Sequence, residues 1–134
     1  MQAFSGDPNT VPMSALAYVG DAVYELFVRR QLLERCIRTS GALHRQSVCL
    51  VKASFQAHAA RCLFDTLTAA EQSIMLRGRN SDPGTSARHT DPLDYRYATR
   101  FEALIGFLFL DEQTARLETI MQAVMDLAIA EKVI

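Results

Sequence analysis

Apolar residues recur at three- and four-residue steps along most of this chain, and this spacing constrains its fold more than any other feature. The first such run extends from Val11 to about Leu33, and its steps are made by Leu16, Val19, Val23 and Leu26. Further apolar residues cover much of the remaining circumference, more than one core contact needs. Strand-like alternation is not sustained anywhere. The sequence therefore predicts an all-α helical bundle of about five helices.

Capping signals divide the rest of the chain into further helices. A second helical run covers about Ala42 to Phe64. Thr68 and Glu71 then have the spacing of a capping box, in which each side chain accepts a hydrogen bond from a free backbone N–H at the helix start. The last helix is expected from roughly Gln113 to Ala130. The second and last helices are expected to bury Leu43, Leu50, Val51, Phe55, Leu63, Leu117, Ile120, Val124 and Leu127.

The fourth helix has a well-marked start and follows a loop. Asp91 suits the N-cap, Pro92 the first helical position, and Asp94 places negative charge in the first turn. This helix is expected to run to about Leu110. The preceding segment, Gly78 to Thr90, contains glycine, proline, serine and threonine and predicts a flexible loop. Loops on a rigid scaffold commonly contain binding residues.

The composition fits one small domain. With 134 residues, 49% of them hydrophobic, the chain can bury one sizeable core and is too short for two ordinary domains. We therefore assign residues 1–134 to a single domain, with residues 1–11 as a flexible N-terminal tail. The formal charge of −1 provides no global attraction to nucleic acid or membranes, so any nucleic-acid contact must come from a local basic patch.

The sequence indicates a cytoplasmic protein without disulfides. Met1 to Pro12 lacks the basic and apolar segments of a secretory signal. The longest uncharged apolar stretch, Ala103 to Leu110, is far shorter than the roughly 20 residues that cross a bilayer, so no membrane partner is expected. The odd number of cysteines argues against a disulfide framework, and their spacing to one another and to the histidines argues against zinc. These residues are Cys36, Cys49, Cys62, His44, His58 and His89.

Two carboxylates lie inside apolar helical runs. Asp21 follows Gly20 in the first helix, and Glu102 lies one turn before Gly106 in the fourth. A carboxylate near a core needs a cation or hydrogen bonds to offset its desolvation, and each interior glycine costs about 1 kcal/mol relative to alanine. A close crossing of the two helices would explain the glycines. It would also let Asp21 and Glu102 converge on one hard cation such as Mg²⁺.

The residues alone leave other partners open for these carboxylates. Each could pair with a nearby arginine, such as Arg29 or Arg100, or face solvent. Charged residues inside helical runs are more often solvated than bound to a metal. On spacing alone, carboxylates that pair with an arginine or face solvent are therefore more common than carboxylates that bind a metal.

The segments around both carboxylates resemble the ribonuclease III family. Leu16–Val23 is similar to the signature helix of that family, and Phe101–Asp111 is similar to its second catalytic segment, in the same order and at a fitting separation. Leu76–Asn80 and Tyr95–Thr99 more specifically resemble the Mini-ribonuclease III branch. The resemblance spans nearly the whole chain and implies a dimeric, all-α ribonuclease III-type endonuclease domain.

The resemblance also implies roles for single residues. Asp21 and Glu102 match catalytic metal ligands of the family, with Mg²⁺ as the cofactor and Mn²⁺ as a substitute. Where classical members have further acidic residues, this chain has Ala17 and Thr99, which leaves more of the coordination shell to water and RNA phosphate. The implied reaction is hydrolysis of double-stranded RNA by a homodimer, with precursor large-subunit ribosomal RNA as the biological substrate.

The catalytic domain is expected to grip RNA by itself, because the chain has no room for the RNA-binding domain of classical members. Basic and polar residues around the loop could contact phosphates and 2′-hydroxyls across a duplex groove. The candidates are Arg77, Arg79, Asn80, Arg88, His89, Arg96 and Arg100. A solvated surface, partly neutralised by nearby aspartates, is the alternative.

Two other functions remain open at this point. One is a non-catalytic protein of the same fold that binds structured RNA or a ribosomal assembly. The other is a helical protein-interaction module, which would lack affinity for duplex RNA even at modest salt concentration. The presence of Asp21 and Glu102 argues against the first.

Overall fold

Six α-helices make up the part of the chain, residues 1–77 and 91–134, that the computed structural model describes. No β-strand occurs in these ranges, so the prediction of an all-α bundle is confirmed. Two 3-10 turns, Pro8–Thr10 and Phe64–Thr66, accompany the helices. The helices are α1 (Met13–Glu34), α2 (Ser40–Val51), α3 (Ala53–Leu63), α4 (Ala69–Leu76), α5 (Pro92–Leu110) and α6 (Thr114–Ala130).

The predicted loop, Gly78 to Thr90, lies outside the described residues. No helix in the described ranges is long and apolar enough to cross a membrane.

Helix α5 lies at the centre of the bundle. It packs along α1 and also contacts α3, α4 and α6. Phe101, Leu104, Ile105 and Leu108 are fully buried on it, at the spacing of one helix face. Ala103, Gly106 and Phe107 are buried as well, so solvent reaches little of this half of the helix. The residues around Glu102 are therefore held by packing on several sides.

Helix α1 buries one face and exposes an apolar second one. Leu16, Gly20, Tyr24 and Val28 are buried at four-residue steps against the bundle. Leu26, which belongs to the periodic run that begins at Leu16, is 67% exposed. Periodicity could not decide between the faces, since apolar residues surround most of this helix.

The segment predicted as one helix from Ala42 to Phe64 is two helices in the structure. Lys52 has extended backbone angles, φ −66° and ψ 147°, and separates α2 from α3. The side chain of Gln56 donates a hydrogen bond of 2.8 Å to the Val51 carbonyl, which the break leaves without a helical partner. No glycine or proline marks this position in the sequence, so local signals do not predict the break.

The predicted helix starts at Thr68 and Asp91 are confirmed. Thr68 accepts a hydrogen bond from the Glu71 N–H at 3.1 Å, and Glu71 accepts one from the Thr68 N–H at 2.9 Å. Asp91 accepts hydrogen bonds from the N–H groups of Leu93 and Asp94 at 2.7 and 3.3 Å. Local side-chain chemistry therefore fixes the starts of α4 and α5.

Part of the segment predicted as a flexible tail has a defined structure. Asp7 caps the turn Pro8–Thr10 by accepting a hydrogen bond from Asn9, and Pro8 is buried. The turn contacts α5. Packing of Pro8 against the bundle, which a local pattern does not reveal, accounts for the difference.

Candidate functional site

Two glycines set the distance between α1 and α5. A β-carbon at Gly20 would overlap the carbonyl oxygen of Glu102, and one at Gly106 would overlap the carbonyl oxygen of Leu16. In both cases the overlapping atom belongs to the backbone of a packed helix, so moving it would require the helices to separate. The close helix crossing that the sequence predicted is therefore present, and glycine is required on both sides of it.

The crossing brings the carboxyl groups of Asp21 and Glu102 together. Asp21 is exposed, Glu102 is half-buried, and their side chains make a hydrogen-bonding contact. Burial first, and then the negative charge of Asp21, raise the pKa of Glu102 to about 8. A proton held on Glu102 can be donated to Asp21. Without a proton or a cation, two negative charges would face each other across a partly desolvated gap.

A third element, α3, contributes Gln56 to this site. Its side chain is 2% exposed, and the interaction of its amide with the Glu102 carboxyl opposes the rise in the pKa of that carboxyl. Its Nε2 also donates to the Val51 carbonyl, so the amide plane is fixed by the end of α2. Its Oε1 has no hydrogen-bond partner within residues 1–77 and 91–134.

Sequence reasoning missed Gln56. The available signal was a polar residue between Phe55 and Ala57, both of which are buried in the structure. A buried amide generally needs a polar partner, and here Glu102 is one.

Tyr24, on α1, anchors the helix next to the site through a hydrogen bond and a ring contact. Its hydroxyl donates a hydrogen bond of 2.6 Å to the Leu50 carbonyl, and its ring packs edge-on against Phe101 with centroids 6.1 Å apart. Burial, and secondly the charge of Glu102, raise the pKa of Tyr24, so the hydroxyl keeps its proton. This hydrogen bond links α1 to the end of α2 close to Glu102.

The arginine partners considered from the sequence have other contacts. Arg29 pairs with Glu25 at 2.8 Å, and Arg100 lies over the ring of Tyr97 at 5.3 Å. No ion pair within the described ranges includes Asp21 or Glu102. The alternative in which arginines neutralise these carboxylates is therefore wrong for the described part of the protein.

The donor atoms of this site suit a hard divalent cation. Asp21 and Glu102 offer carboxylate oxygens, which Mg²⁺ prefers over nitrogen or sulfur ligands. Ala17 is buried and offers no ligand, and the Thr99 hydroxyl donates to the Tyr95 carbonyl at 2.8 Å. The two carboxylates therefore remain the acidic donors here, and their role as catalytic metal ligands stays a prediction.

The structure describes three of the predicted RNA-binding residues, Arg77, Arg96 and Arg100. Arg77 is exposed at the end of α4 and donates to the Val11 carbonyl at 3.1 Å. Arg96 is exposed and Arg100 half-buried, one turn apart on α5. At about 100° per residue, Arg100 lies roughly 200° around the helix from Glu102, so the two side chains leave α5 in different directions. The other candidates, Arg79, Asn80, Arg88 and His89, lie outside the described residues.

A basic contact that the sequence did not indicate joins α3 to α5. The Arg61 guanidinium lies 4.4 Å from the centre of the Tyr97 ring, which Arg100 also approaches. Arg61 also forms an ion pair with Asp94 at 3.1 Å. These residues are far apart in sequence, so no local pattern predicts their contact.

Comparison with known proteins places the chain in a family. Residues 14–113 match the ribonuclease III domain. The chain is 42% identical over 120 residues to Mini-ribonuclease 3 of Symbiobacterium thermophilum, covering 90% of this chain and 92% of the relative. It is 47% identical over 105 residues to Mini-ribonuclease 3 of Gloeobacter violaceus, covering 78% of this chain and 76% of the relative.

The fold also agrees with a solved structure. The crystal structure of a Fusobacterium nucleatum protein matches with a TM-score of 0.79 and 24% identity, over 91% of this chain and 98% of that one. This likeness supports the fold alone. The domain match and the two relatives lead to one assignment. The chain belongs to the ribonuclease III family, in its Mini-ribonuclease III branch.

Proposed function

We propose that this protein is a metal-dependent endoribonuclease that hydrolyses phosphodiester bonds in double-stranded RNA. The observation that carries the proposal is the contact between the Asp21 and Glu102 carboxyl groups at the glycine crossing of α1 and α5. Membership of the ribonuclease III family supports the same reaction class. We assign the catalytic role to Asp21 and Glu102.

The oxygen donors of Asp21 and Glu102 would hold Mg²⁺, and Mn²⁺ could replace it. When bound, the ion supplies a Lewis acid that lowers the pKa of water and offsets negative charge on the attacked phosphate. Binding it requires Glu102 to lose its proton, so loading the site releases a proton near neutral pH. Asp21 and Glu102 would then both be ionised, and their charge would be compensated by the bound ion in place of the proton.

The residues of the chain contribute mainly by position. Glu102 is held between the Gln56 amide and the packed backbone of α1, whereas Asp21 is exposed and faces the side from which a substrate can approach. Both carboxylates lie on helices that cross without room to slide, which preorganises the pair. A phosphate would meet ligands whose geometry is already fixed.

We infer a homodimer that uses the exposed side of α1. Tyr18, Ala22 and Leu26 form an exposed apolar stripe at four-residue steps, with Tyr18 83% exposed. Asp21 lies beside this stripe. A twofold axis through it would place two carboxylate pairs near one duplex, one for each strand. Each cut would leave 5′-phosphate and 3′-hydroxyl ends, with a short 3′ overhang.

The biological substrate that we propose is precursor large-subunit ribosomal RNA in the cytoplasm. The arginines around residues 77–100 would bind phosphates of the duplex, because a protein with a net charge of −1 needs a local basic surface to do so. Binding of this kind reads helical shape more than sequence.

Cleavage of long duplex RNA with and without Mg²⁺ tests the reaction. Asp21→Asn and Glu102→Gln should abolish Mg²⁺-dependent cleavage and leave duplex binding in a gel shift largely intact. Asp126→Asn, a change at an exposed carboxylate on α6, is the matched control and should cleave normally. Unchanged cleavage in both site variants would overturn the catalytic assignment. Binding without any cleavage by the unmodified protein would favour the non-catalytic alternative.

Sedimentation tests the dimer separately. Tyr18→Glu and Leu26→Glu should convert the protein to a monomer without loss of helical content, because a charge would enter an apolar interface. Phe4→Glu changes a half-exposed apolar residue outside α1 and should leave the dimer intact. A dimer that survives both α1 changes would exclude this face.

A further inference from the structure

We propose that His58, Cys62 and Glu131 form a second cation site, which binds Zn²⁺ and is distinct from the oxygen site at Asp21 and Glu102. His58 and Cys62 lie one turn apart on α3, and Glu131 follows the end of α6. One ligand atom from each residue lies within 4.8 Å of the other two. The sequence-based prediction that excluded zinc overlooked this four-residue spacing on α3.

The interatomic distances allow one ion to contact all three side chains. His58 Nε2 lies 2.7 and 2.9 Å from the two Glu131 carboxylate oxygens, and Cys62 Sγ lies 3.7 Å from His58 Nε2. Ligand atoms around a tetrahedral Zn²⁺ are separated by roughly 3.3–3.7 Å, given bonds of about 2.0–2.3 Å. Small side-chain rotations would bring the three atoms to these separations. The side chains of His58 and Glu131 are 46% and 39% exposed, so an ion can reach them from solvent.

The ligand chemistry separates this site from the carboxylate pair. One nitrogen, one sulfur and one oxygen donor favour Zn²⁺ or a similar late transition-metal ion, whereas Mg²⁺ prefers oxygen alone. The two sites also lie on different sides of α3. Gln56 is buried and contacts Glu102, while His58, two residues later, is exposed. Water would complete the zinc coordination.

A bound ion would join two distant parts of the chain. His58 and Glu131 are 73 residues apart, so Zn²⁺ would fasten the end of α6 to α3, the helix that positions Gln56. An ion that binds the folded chain and not the unfolded chain stabilises the fold by mass action. The competing explanation is a solvent-exposed His58–Glu131 ion pair, which contributes little to stability. The His58–Glu131 ion pair does not require the sulfur of Cys62, whereas zinc binding does, so a change at Cys62 distinguishes the two explanations.

Cobalt titration of the full chain, reduced and freed of metal with a chelator, tests the site. We expect one Co²⁺ per chain with a thiolate-to-cobalt charge-transfer band, which Zn²⁺ displaces and excess Mg²⁺ does not. Cys62→Ser should abolish the band. Cys36→Ser, a change at another exposed cysteine, should retain it, and Asp21→Asn should retain it because the oxygen site is separate. Absence of the band, its survival in Cys62→Ser or its loss in Cys36→Ser would overturn the proposal.

The melting temperature provides a second measurement, which does not depend on the cobalt absorption band. Zn²⁺ should raise the melting temperature of the unmodified chain and of Cys36→Ser by several degrees. His58→Ala, Cys62→Ser and Glu131→Gln should show no such rise, whatever their own stability. An equal rise in the three ligand variants would place the zinc elsewhere and contradict the assignment.

Discussion

A side chain at Gly20 cannot coexist with the backbone of Glu102, because a β-carbon there would overlap the Glu102 carbonyl oxygen. The residue that follows Gly20 is Asp21, and the side chain of Glu102 reaches Asp21. The same backbone contact therefore sets both the helix spacing and the distance between the two carboxylates. A change at the glycine should affect stability and the site together.

We expect Gly20→Ala to destabilise the fold by about 2–4 kcal/mol or to prevent folding, although alanine is the better helix former. The added methyl group must push α1 away from α5. Gly41→Ala is the control, because among the described residues a β-carbon there approaches the flexible Arg45 guanidinium alone, at 3.3 Å. Urea denaturation of both variants checks this. Equal stability of the two would contradict the close crossing.

The metal-free protein should lose stability between about pH 4.5 and 8 through Glu102. Its pKa rises from 4.5 to about 8 in the folded state, so its contribution is complete below 4.5 and is lost as pH rises through 8. Relative to Glu102→Gln, which cannot ionise, the free energy of unfolding should fall by up to roughly 5 kcal/mol across this window.

Urea denaturation of both proteins at pH 5 and pH 9, with a chelator present, measures the difference. Glu102→Gln should be the more stable protein at pH 9 and should also lack cleavage activity, so the change separates stability from function. If the gap between the two proteins did not depend on pH, the folded-state pKa of Glu102 would not be raised.

Arg116→Met should destabilise the protein by about 1–3 kcal/mol at neutral pH. Arg116 holds Glu71, whose side chain is 6% exposed, through two hydrogen bonds of 2.8 Å. These hydrogen bonds lower the pKa of Glu71, so this contribution is present above 4.5 and is lost as pH falls through the lower folded value.

Thermal unfolding from neutral to acidic pH provides the measurement for this pair. The penalty of Arg116→Met should shrink in acid, where Glu71 becomes neutral. Arg30→Met removes a guanidinium that lies 3.7 Å from Glu118 in an exposed pair, and it should have little effect. A similar loss in both variants would mean that burial of Glu71 is unimportant.

Gln56→Leu should raise the Mg²⁺ concentration needed for half-maximal cleavage by roughly 10–100-fold, the usual effect of losing a residue that orients a metal ligand. Leucine keeps the volume of the buried side chain but cannot hold Glu102 or the Val51 carbonyl. Gln72→Leu is the control. It removes a similar hydrogen bond, 2.9 Å from Gln72 to the Phe64 carbonyl, and Gln72 makes no hydrogen bond to Asp21 or Glu102 among the described residues. If both variants had the same Mg²⁺ requirement as the unmodified protein, Gln56 would have no positioning role.

Local chemistry in the sequence determined the helical character and several boundaries. The Thr68–Glu71 capping box and the Asp91 N-cap act through bonds within one turn, so the residues themselves specify them. The glycines near Asp21 and Glu102 likewise indicate a close helix crossing by their positions in the chain, because glycine inside a helix is costly without a packing reason.

Only the tertiary structure decided which surfaces meet. The exposure of Leu26 and the contact between Gln56 and Glu102 depend on packing between segments far apart in sequence. The same holds for Glu131, which joins His58 across 73 residues. Periodicity predicts that a helix has an apolar side, but it does not predict which element packs against that side. Burial and the pKa of a buried acid both depend on neighbours from other helices, so only the tertiary structure determines them.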